Sequence, residues 1–396
     1  MAHDLLRFSR ILTLIQLVSL STVAAVAFTP AYPLLVEEFH LSDDQSQSMM
    51  TFFLLGSVFG RLLYGPLANA IGRKNSLYLG LGVTFIGVLI TFFAQTYSIL
   101  ILGRWIQAIG AAAGVTITYI MIGDCHVGSK ATKALSYVMI AFAIVPGIGT
   151  SISGYLTPYM GWRGAFAFLL VYVAILILFS FFLPETGNKK ERESLHPIKI
   201  LRQYAKGFRD FSLISHGLLM GLSTALLFIF SQEAPFISMR FLGLTPESYG
   251  IYYLVPAFGI TFGCLLSGWL AGKVHAKKSI IAGIFCILVG VLFMGAFFSL
   301  HVYAGWALFL PQIIIQLGDA LLYNNASSDA LSEASNKANA ATVILFLTGV
   351  CSAAGTYFVG AFVPKVPLAM PIVFLVLTTL MLGVWLLLEW RRRKPA

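Results

Sequence analysis

The sequence predicts an all-α membrane protein of twelve spans, arranged as two similar six-helix bundles. Three observations carry this. Of the 396 residues, 58% are hydrophobic and 11% charged, with a mean hydropathy of +0.85; soluble domains carry roughly 25% charged residues, so lipid is the solvent for most of this chain. The apolar runs are continuous and about 20 residues long, enough for a helix to cross a bilayer and about twice the length of a barrel strand. Finally, Gly65-Pro66-Leu67-Ala68-Asn69-Ala70-Ile71-Gly72-Arg73-Lys74 is echoed 203 residues later by Gly268-Trp269-Leu270-Ala271-Gly272-Lys273. Each copy is an apolar stretch ending in Gly-x-Leu-Ala and running into a basic turn between two spans, the sign of a chain built from two equivalent halves.

The first span, 11–35, follows Arg7 and Arg10 and runs on to Pro33. It is longer than the apolar core of a signal peptide, and removing it would leave eleven spans, so it is read as retained. The second span, 46–71, enters the first basic turn and the third, 76–95, leaves it. The fourth, 98–124, carries Arg104 about one turn in; the fifth, 134–158, carries Pro146 and Gly147; the sixth, 162–183, closes the first half. The longest polar interval, 185–208, holds Glu185, Lys189, Lys190, Glu191, Arg192, Glu193, Lys199, Arg202 and Lys206, and is read as a linker between a bundle at 1–184 and one at 209–396. Spans at 209–236, 246–271, 278–299, 302–325, 338–363 and 368–390 make up the second bundle.

Basic residues set the orientation. With the N-terminus inside, the cytoplasmic segments hold Arg7, Arg10, Arg73, Lys74, Lys130, Lys133, the linker cluster through Arg209, Lys273, Lys277, Lys278, Lys337 and Arg391 to Lys394, whereas the outer loops hold only Arg163, Arg240 and Lys365. Both termini are therefore expected in the cytoplasm. The net charge of +10 lies in short turns beside anionic headgroups, so the bilayer accounts for it and no nucleic-acid partner is expected. Cys125, Cys264, Cys286 and Cys351 fall in or at the ends of spans without framework spacing, and the histidines, among them His126, His216 and His275, show no metal spacing. No phosphate-binding loop and no His-Glu-x-x-His is present. The chain is expected to be no enzyme and to need neither cofactor nor metal.

The Gly65 to Lys74 stretch resembles the cytoplasmic turn between the second and third helices of the major facilitator superfamily, and the second copy falls where that superfamily repeats it. Leu102-Gly103-Arg104-Trp105-Ile106-Gln107-Ala108-Ile109-Gly110-Ala111-Ala112-Ala113-Gly114 is similar to the fourth-helix motif of its drug/proton antiporters. Pro146-Gly147 through Ser153-Gly154, with Gly161-Trp162-Arg163, resembles their fifth-helix antiporter motif; Asp124 and Ser136 also fit. Glu233-Ala234-Pro235-Phe236 and Asn324-Asn325-Ala326 sit where exporters of the bicyclomycin-resistance (Bcr/CflA) type carry Ser-Pro-Phe and Pro-Asn-Ala elements. The resemblance covers nearly the whole chain. It implies the major facilitator fold, a small-molecule substrate, protons as coupling partner, and a monomer in a bacterial inner membrane. Two departures stand out: Asn69 and Ala70 replace the family's Asp and Arg, which weakens a charge interaction tied to inward closure, and Val26 replaces the usual first-helix Asp, so any coupling carboxylate is a different one.

Charges at membrane depth are costly and each needs a reason. Arg104 is read as a cavity residue, with snorkelling or a structural pair as its alternative. Arg61, nearer the inner end of its span, is read as lying along the bundle wall with its head toward the cytoplasm. Gln312, Gln316 and Asp319 share one helix face by spacing, expected to look into a central cavity with Asn324 and Asn325 nearby. A carboxyl taken out of water favours its protonated form, which suits Asp319 to carrying a proton; an internal hydrogen-bonded structural role is its alternative. Glu233 lies near the outer end of its span, where a loop carboxylate is ordinary, and Asp124 reads as an inner-end residue paired with neighbouring bases. Gln16 and Gln107 could complete the cavity wall. For gating, Gly65, Asn69, Gly72, Arg73 and Lys74 form the inner turn, whose glycines let two helices meet closely. Pro146 and Gly147 lead into a Gly-Thr-x-x-x-Gly face at 149–154, ending at Gly154, with a counterpart at 355–360; such faces either meet between bundles or pack within them.

Abundant aromatic residues, 32 Phe, 16 Tyr and 6 Trp, suit an adaptable apolar pocket. The favoured reading is a proton-coupled multidrug antiporter exporting small hydrophobic or amphiphilic compounds by alternating access. The alternatives are a carrier for a specific anionic metabolite or siderophore, favoured by Arg61, Arg104 and the missing Asp, and a sensor or assembly protein that kept the fold and lost transport.

Overall fold

The computed structural model describes residues 8–125, 129–187, 208, 210–333, 337–362 and 366–393. Among them the chain is helical, with no strand. In order the helices are α1 (Phe8–Val26), α2 (Tyr32–Glu38), α3 (Asp43–Ile71), α4 (Arg73–Phe92), α5 (Tyr97–Cys125), α6 (Ser129–Met160) and α7 (Arg163–Ser180). There follow α8 (Phe211–Phe236), α9 (Pro246–Tyr252), α10 (Val255–Leu270), α11 (Ala276–Ser299), α12 (Gly305–Glu333), α13 (Lys337–Phe362) and α14 (Ala369–Arg393). Over the described residues, 11 segments are long and apolar enough to cross a membrane. The remaining predicted span is α6, a helix of 32 residues. Arg7, His126, residues 188–207 of the linker, Arg209, Lys365, Lys394 and the side chains of Lys130, Lys133, Ser136 and Lys337 lie outside the described residues.

Two predicted spans are each broken in two, and proline explains both breaks. The first stops at Val26, passes through a short 3-10 turn at Thr29–Ala31 containing Pro30, and resumes as α2 with Pro33 in its first turn. The eighth is interrupted between Tyr252 and Val255, where Pro256 cannot donate to the preceding turn. The second span begins earlier than its apolar run because Ser42 and Gln45 form a capping box: Gln45 N donates to Ser42 Oγ at 3.3 Å and Ser42 N to Gln45 Oε1 at 3.1 Å. The seventh is started by Asp210, whose carboxylate accepts from Ser212 N and Leu213 N.

The chain divides into two compact units, residues 1–41 with 52–202 and residues 42–51 with 203–396. In the first, Leu14, Leu17, Leu77, Leu81, Ala112, Ile117 and Val173 form a buried core shared by α1, α4, α5 and α7. In each unit, three helices pack by the same close approaches. A Cβ on Gly60 would meet the Ile109 carbonyl and Ala112 Cβ; one on Gly263, 203 residues later, would meet the Leu317 carbonyl and Ala320 Cβ. Gly56 stands against Trp105 and Ala108 as Gly259 does against Ile313 and Gln316. The repeat thus holds at 203 residues for α3/α10 and α4/α11, and at 208 for α5/α12, two helices of 29 residues each. Most of the shift lies at the end of α11, which has 24 residues against 20 in α4, and the rest in the loop that follows, 300–304 against 93–96.

One predicted role for glycine changes. A Cβ added at Gly65 or at Gly268 would meet nothing within 4 Å, so neither residue brings helices together. Gly72 has φ +97°, a conformation that side chains rarely adopt, and the Glu185 carboxylate sits where its Cβ would be. Of the small-residue faces, Gly149 packs on Val23 and Phe168 and Gly355 on Ala225 and Ile229, each inside its own unit.

Candidate functional site

The first unit's polar centre follows from the break in α1. A helix that ends leaves carbonyls of its last turn without intrahelical donors and with partial negative charge. Side chains from other helices take them here. Arg104 Nη1 donates to the Ala24 carbonyl at 2.6 Å and Nη2 to that of Ala25 at 3.4 Å, while Thr150 Oγ1 on α6 reaches the Val26 carbonyl at 3.5 Å. Arg104 Nη1 also donates to Gln107 Oε1 at 2.9 Å. The guanidinium lies over the rings of Phe28 and Phe53, 4.2 and 4.3 Å from their centroids, and is 0% exposed. Among the described residues no carboxylate pairs with it; the helix terminus takes that role. Gln16 on α1 is half-buried, its Oε1 accepting from Tyr172 OH on α7 at 2.9 Å. Arg61 is half-buried on α3.

The second unit's centre lies on α12. Asp319 is partly exposed, and Ser223 Oγ on α8 donates to its Oδ1. Gln312 and Gln316 are both 0% exposed, and neither end of either amide has a hydrogen-bond partner. The structure thus brings Gln312, Gln316 and Asp319 onto one face, as their spacing predicts. Asn325 faces another way, its Nδ2 donating to Ser267 Oγ at 3.0 Å and to the Leu321 carbonyl at 2.9 Å, and Asn324 Nδ2 approaches Cys264 Sγ at 3.5 Å. Glu233 differs from expectation. It lies in the last turn of α8, near the end of its span as predicted, but it is 5% exposed rather than a loop carboxylate, and is the one acidic side chain in the buried class among the described residues; Gln232 Nε2 donates to it at 3.4 Å and to the Thr356 carbonyl at 3.4 Å.

The predicted gating turn is a bracket of charge at one end of the first unit. Arg73 Nε donates to Asp124 Oδ2 at 2.9 Å and its Nη1 to Asn69 Oδ1 at 3.2 Å. Glu185 caps the start of α4, accepting from Arg73 N at 2.9 Å and Lys74 N at 3.0 Å, and Lys74 Nζ donates to the Phe181 carbonyl at 2.9 Å. Asp124 is thus an end residue paired with a base. In the second unit a chain of pairs runs from Lys277 to Glu389 (3.0 Å), Arg392 (3.0 Å), Asp329 (2.9 Å) and His216 (3.2 Å). Pro146, Gly147 and Gly154 are buried on α6, and the Pro146 carbonyl accepts from Thr150 at 2.9 Å. Sequence reasoning missed Ser223, Thr150 and the Asp329 chain. Small hydroxyls are common in membrane helices, and only the fold shows which of them faces a carboxylate or an orphaned carbonyl.

A multi-pass helical membrane protein with duplicated halves and polar residues in the body of its spans belongs to the class of small-molecule transporters, not enzymes. The chain belongs to the Major Facilitator Superfamily, whose description matches residues 14–356. It is similar to an uncharacterized transporter of Rickettsia felis, 30% identical, covering 78% of each chain. It also resembles a bicyclomycin resistance protein homolog of Haemophilus influenzae, 23% identical over 73% of this chain and 75% of that one. The xylose transporter XylE from E. coli, in a partially occluded inward-open conformation, shares the fold with a TM-score of 0.74 at 14% identity over 98% of both chains.

Proposed function

We propose that this chain is a proton-coupled exporter of small hydrophobic or amphiphilic compounds working by alternating access, with Asp319 as the proton-carrying group. The observation that carries the reading is a carboxylate in the body of a membrane helix, partly exposed and hydrogen-bonded by Ser223. A charge at that depth is costly, so exchange between a protonated and an ionised state has large consequences for which conformation is favoured. The kinship with a bicyclomycin-resistance homolog supports export of drug-like solutes. The reading of an anion carrier leans on Arg104, whose guanidinium is already engaged by two backbone carbonyls and Gln107.

Proteoliposomes with an imposed pH gradient test this. Asp319→Asn abolishes gradient-driven accumulation of bicyclomycin, while binding and downhill exchange persist. A variant that still responds fully to the gradient overturns the assignment and moves it to Glu233 or to uniport.

A further inference from the structure

The two units differ at one matched position. At the 208-residue offset, Gln312 on α12 corresponds to Arg104 on α5, and Gln316 to Ala108. In the first unit the polar residue is consumed by the fold, because the broken α1 presents carbonyls to it. In the second, α8 runs unbroken through Phe236, and Gln312 and Gln316 have no partner on either amide atom. On either side of them α12 makes a contact with α8. At one end Phe230 meets Phe309 edge-on, with centroids 5.6 Å apart; at the other Ser223 meets Asp319. Between these contacts Gln316 stands against Gly259 of α10, and no side chain or carbonyl pairs with either amide. An amide buried without a partner is unfavourable, and two of them on one face, one and two turns from a partly exposed carboxylate, make a fold-stabilising role a poor account of either.

We infer that Gln312 and Gln316 are specificity-determining residues that hydrogen-bond a neutral substrate carrying adjoining donor and acceptor groups, such as a ring amide, entered past Asp319. This inference rests on the exporter reading. A carboxamide both donates and accepts, so it pairs in two places with a cyclic amide and gains nothing from a lipophilic cation that has neither group. A site built to hydrogen-bond its ligand discriminates strongly against one lacking those groups, because its own polar atoms then stay unpaired.

The test uses the full-length protein in lipid nanodiscs, with calorimetric binding of bicyclomycin, a neutral compound with ring amides, beside tetraphenylphosphonium, a cation without donors or acceptors. Gln312→Leu and Gln316→Leu each weaken bicyclomycin about tenfold, the double variant abolishes its binding, and tetraphenylphosphonium affinity stays within about twofold. Melting temperatures of the variants are unchanged or higher, since an unpaired buried amide is removed; Gln312→Met and Gln316→Met replace any leucine variant that does not fold. Unchanged bicyclomycin affinity in a folded double variant overturns the inference while leaving the exporter reading intact, and so does equal loss of both probes. A wild-type protein that neither binds nor exports either probe overturns the exporter reading, and the inference falls with it.

Discussion

Arg104 shows how one residue is fixed by its neighbours' backbone. Its fork reaches two successive carbonyls and a glutamine at once, while the guanidinium lies over the rings of Phe28 and Phe53. Lysine keeps the charge but is a point donor without a planar face. Arg104→Lys therefore leaves at least one buried carbonyl unpaired, and is expected to lose about 1–3 kcal/mol of stability, read as a lower melting temperature of the detergent-solubilised protein. A variant melting with the wild type would show that the α1 break is satisfied some other way. The sequence marks Arg104 as a charge needing a reason; it does not mark the reason, because the partners are main-chain atoms exposed by a break about 80 residues earlier in the chain, and backbone carbonyls leave no signature in a side-chain pattern. Glu233 is the converse case. Counted from the end of an apolar run it looks like a loop carboxylate, but α8 continues past Pro235 through a π-helical turn at Ile237–Phe241, which keeps it buried.

Helix packing separates two kinds of glycine that look alike in the sequence. The repeat is easiest to see at Gly65 and Gly268 because they sit in a conspicuous motif, yet space is open around both. The approaches that hold α3 to α5 and α10 to α12 belong to Gly60 and Gly263, where an added methyl group would meet Ala112 Cβ and Ala320 Cβ at 2.7 Å. Gly60→Ala and Gly263→Ala are each expected to cost about 1–3 kcal/mol by overpacking. Gly268→Ala is expected to be neutral or to stabilise by up to about 1 kcal/mol through helix propensity. Thermal melts of the three variants check the ranking; a Gly268→Ala variant as damaged as Gly263→Ala would return the close-approach role to the motif. Span existence and order were legible throughout, since apolar length is the dominant constraint on a chain in lipid. The capping box at Ser42 was also legible in principle, although a hydropathy criterion starts the helix only where the polar residues stop.

For the whole molecule, the two ends of the bundles carry different chemistry, and this bears on which way the chain faces. In the first unit, Arg73, Asp124 and Glu185 interlock at one end, whereas at the other Glu38 accepts from Trp162 Nε1 at 2.7 Å and from Arg163 Nη1 at 3.2 Å. In the second, Lys277, Glu389, Arg392, Asp329 and His216 gather at the end holding the second basic turn. Short basic turns stay on the cytoplasmic side, so both clusters are expected inside. Each bundle then has an even number of spans, and both termini return to the cytoplasm. Cys125, Cys264, Cys286 and Cys351 are free, so they must be replaced before single cysteines are introduced at exposed positions. In intact cells a membrane-impermeant maleimide is expected to label Ser42→Cys and Thr245→Cys, and to reach Asn75→Cys and His275→Cys only after permeabilisation. Labelling of both inner positions in intact cells would invert the orientation of the whole chain. A mixed result, with one basic turn inside and the other outside, is more damaging, because only an odd number of crossings between Asn75 and His275 places them on opposite faces. It would remove the equivalence of the halves on which the matching of Arg104 with Gln312 depends.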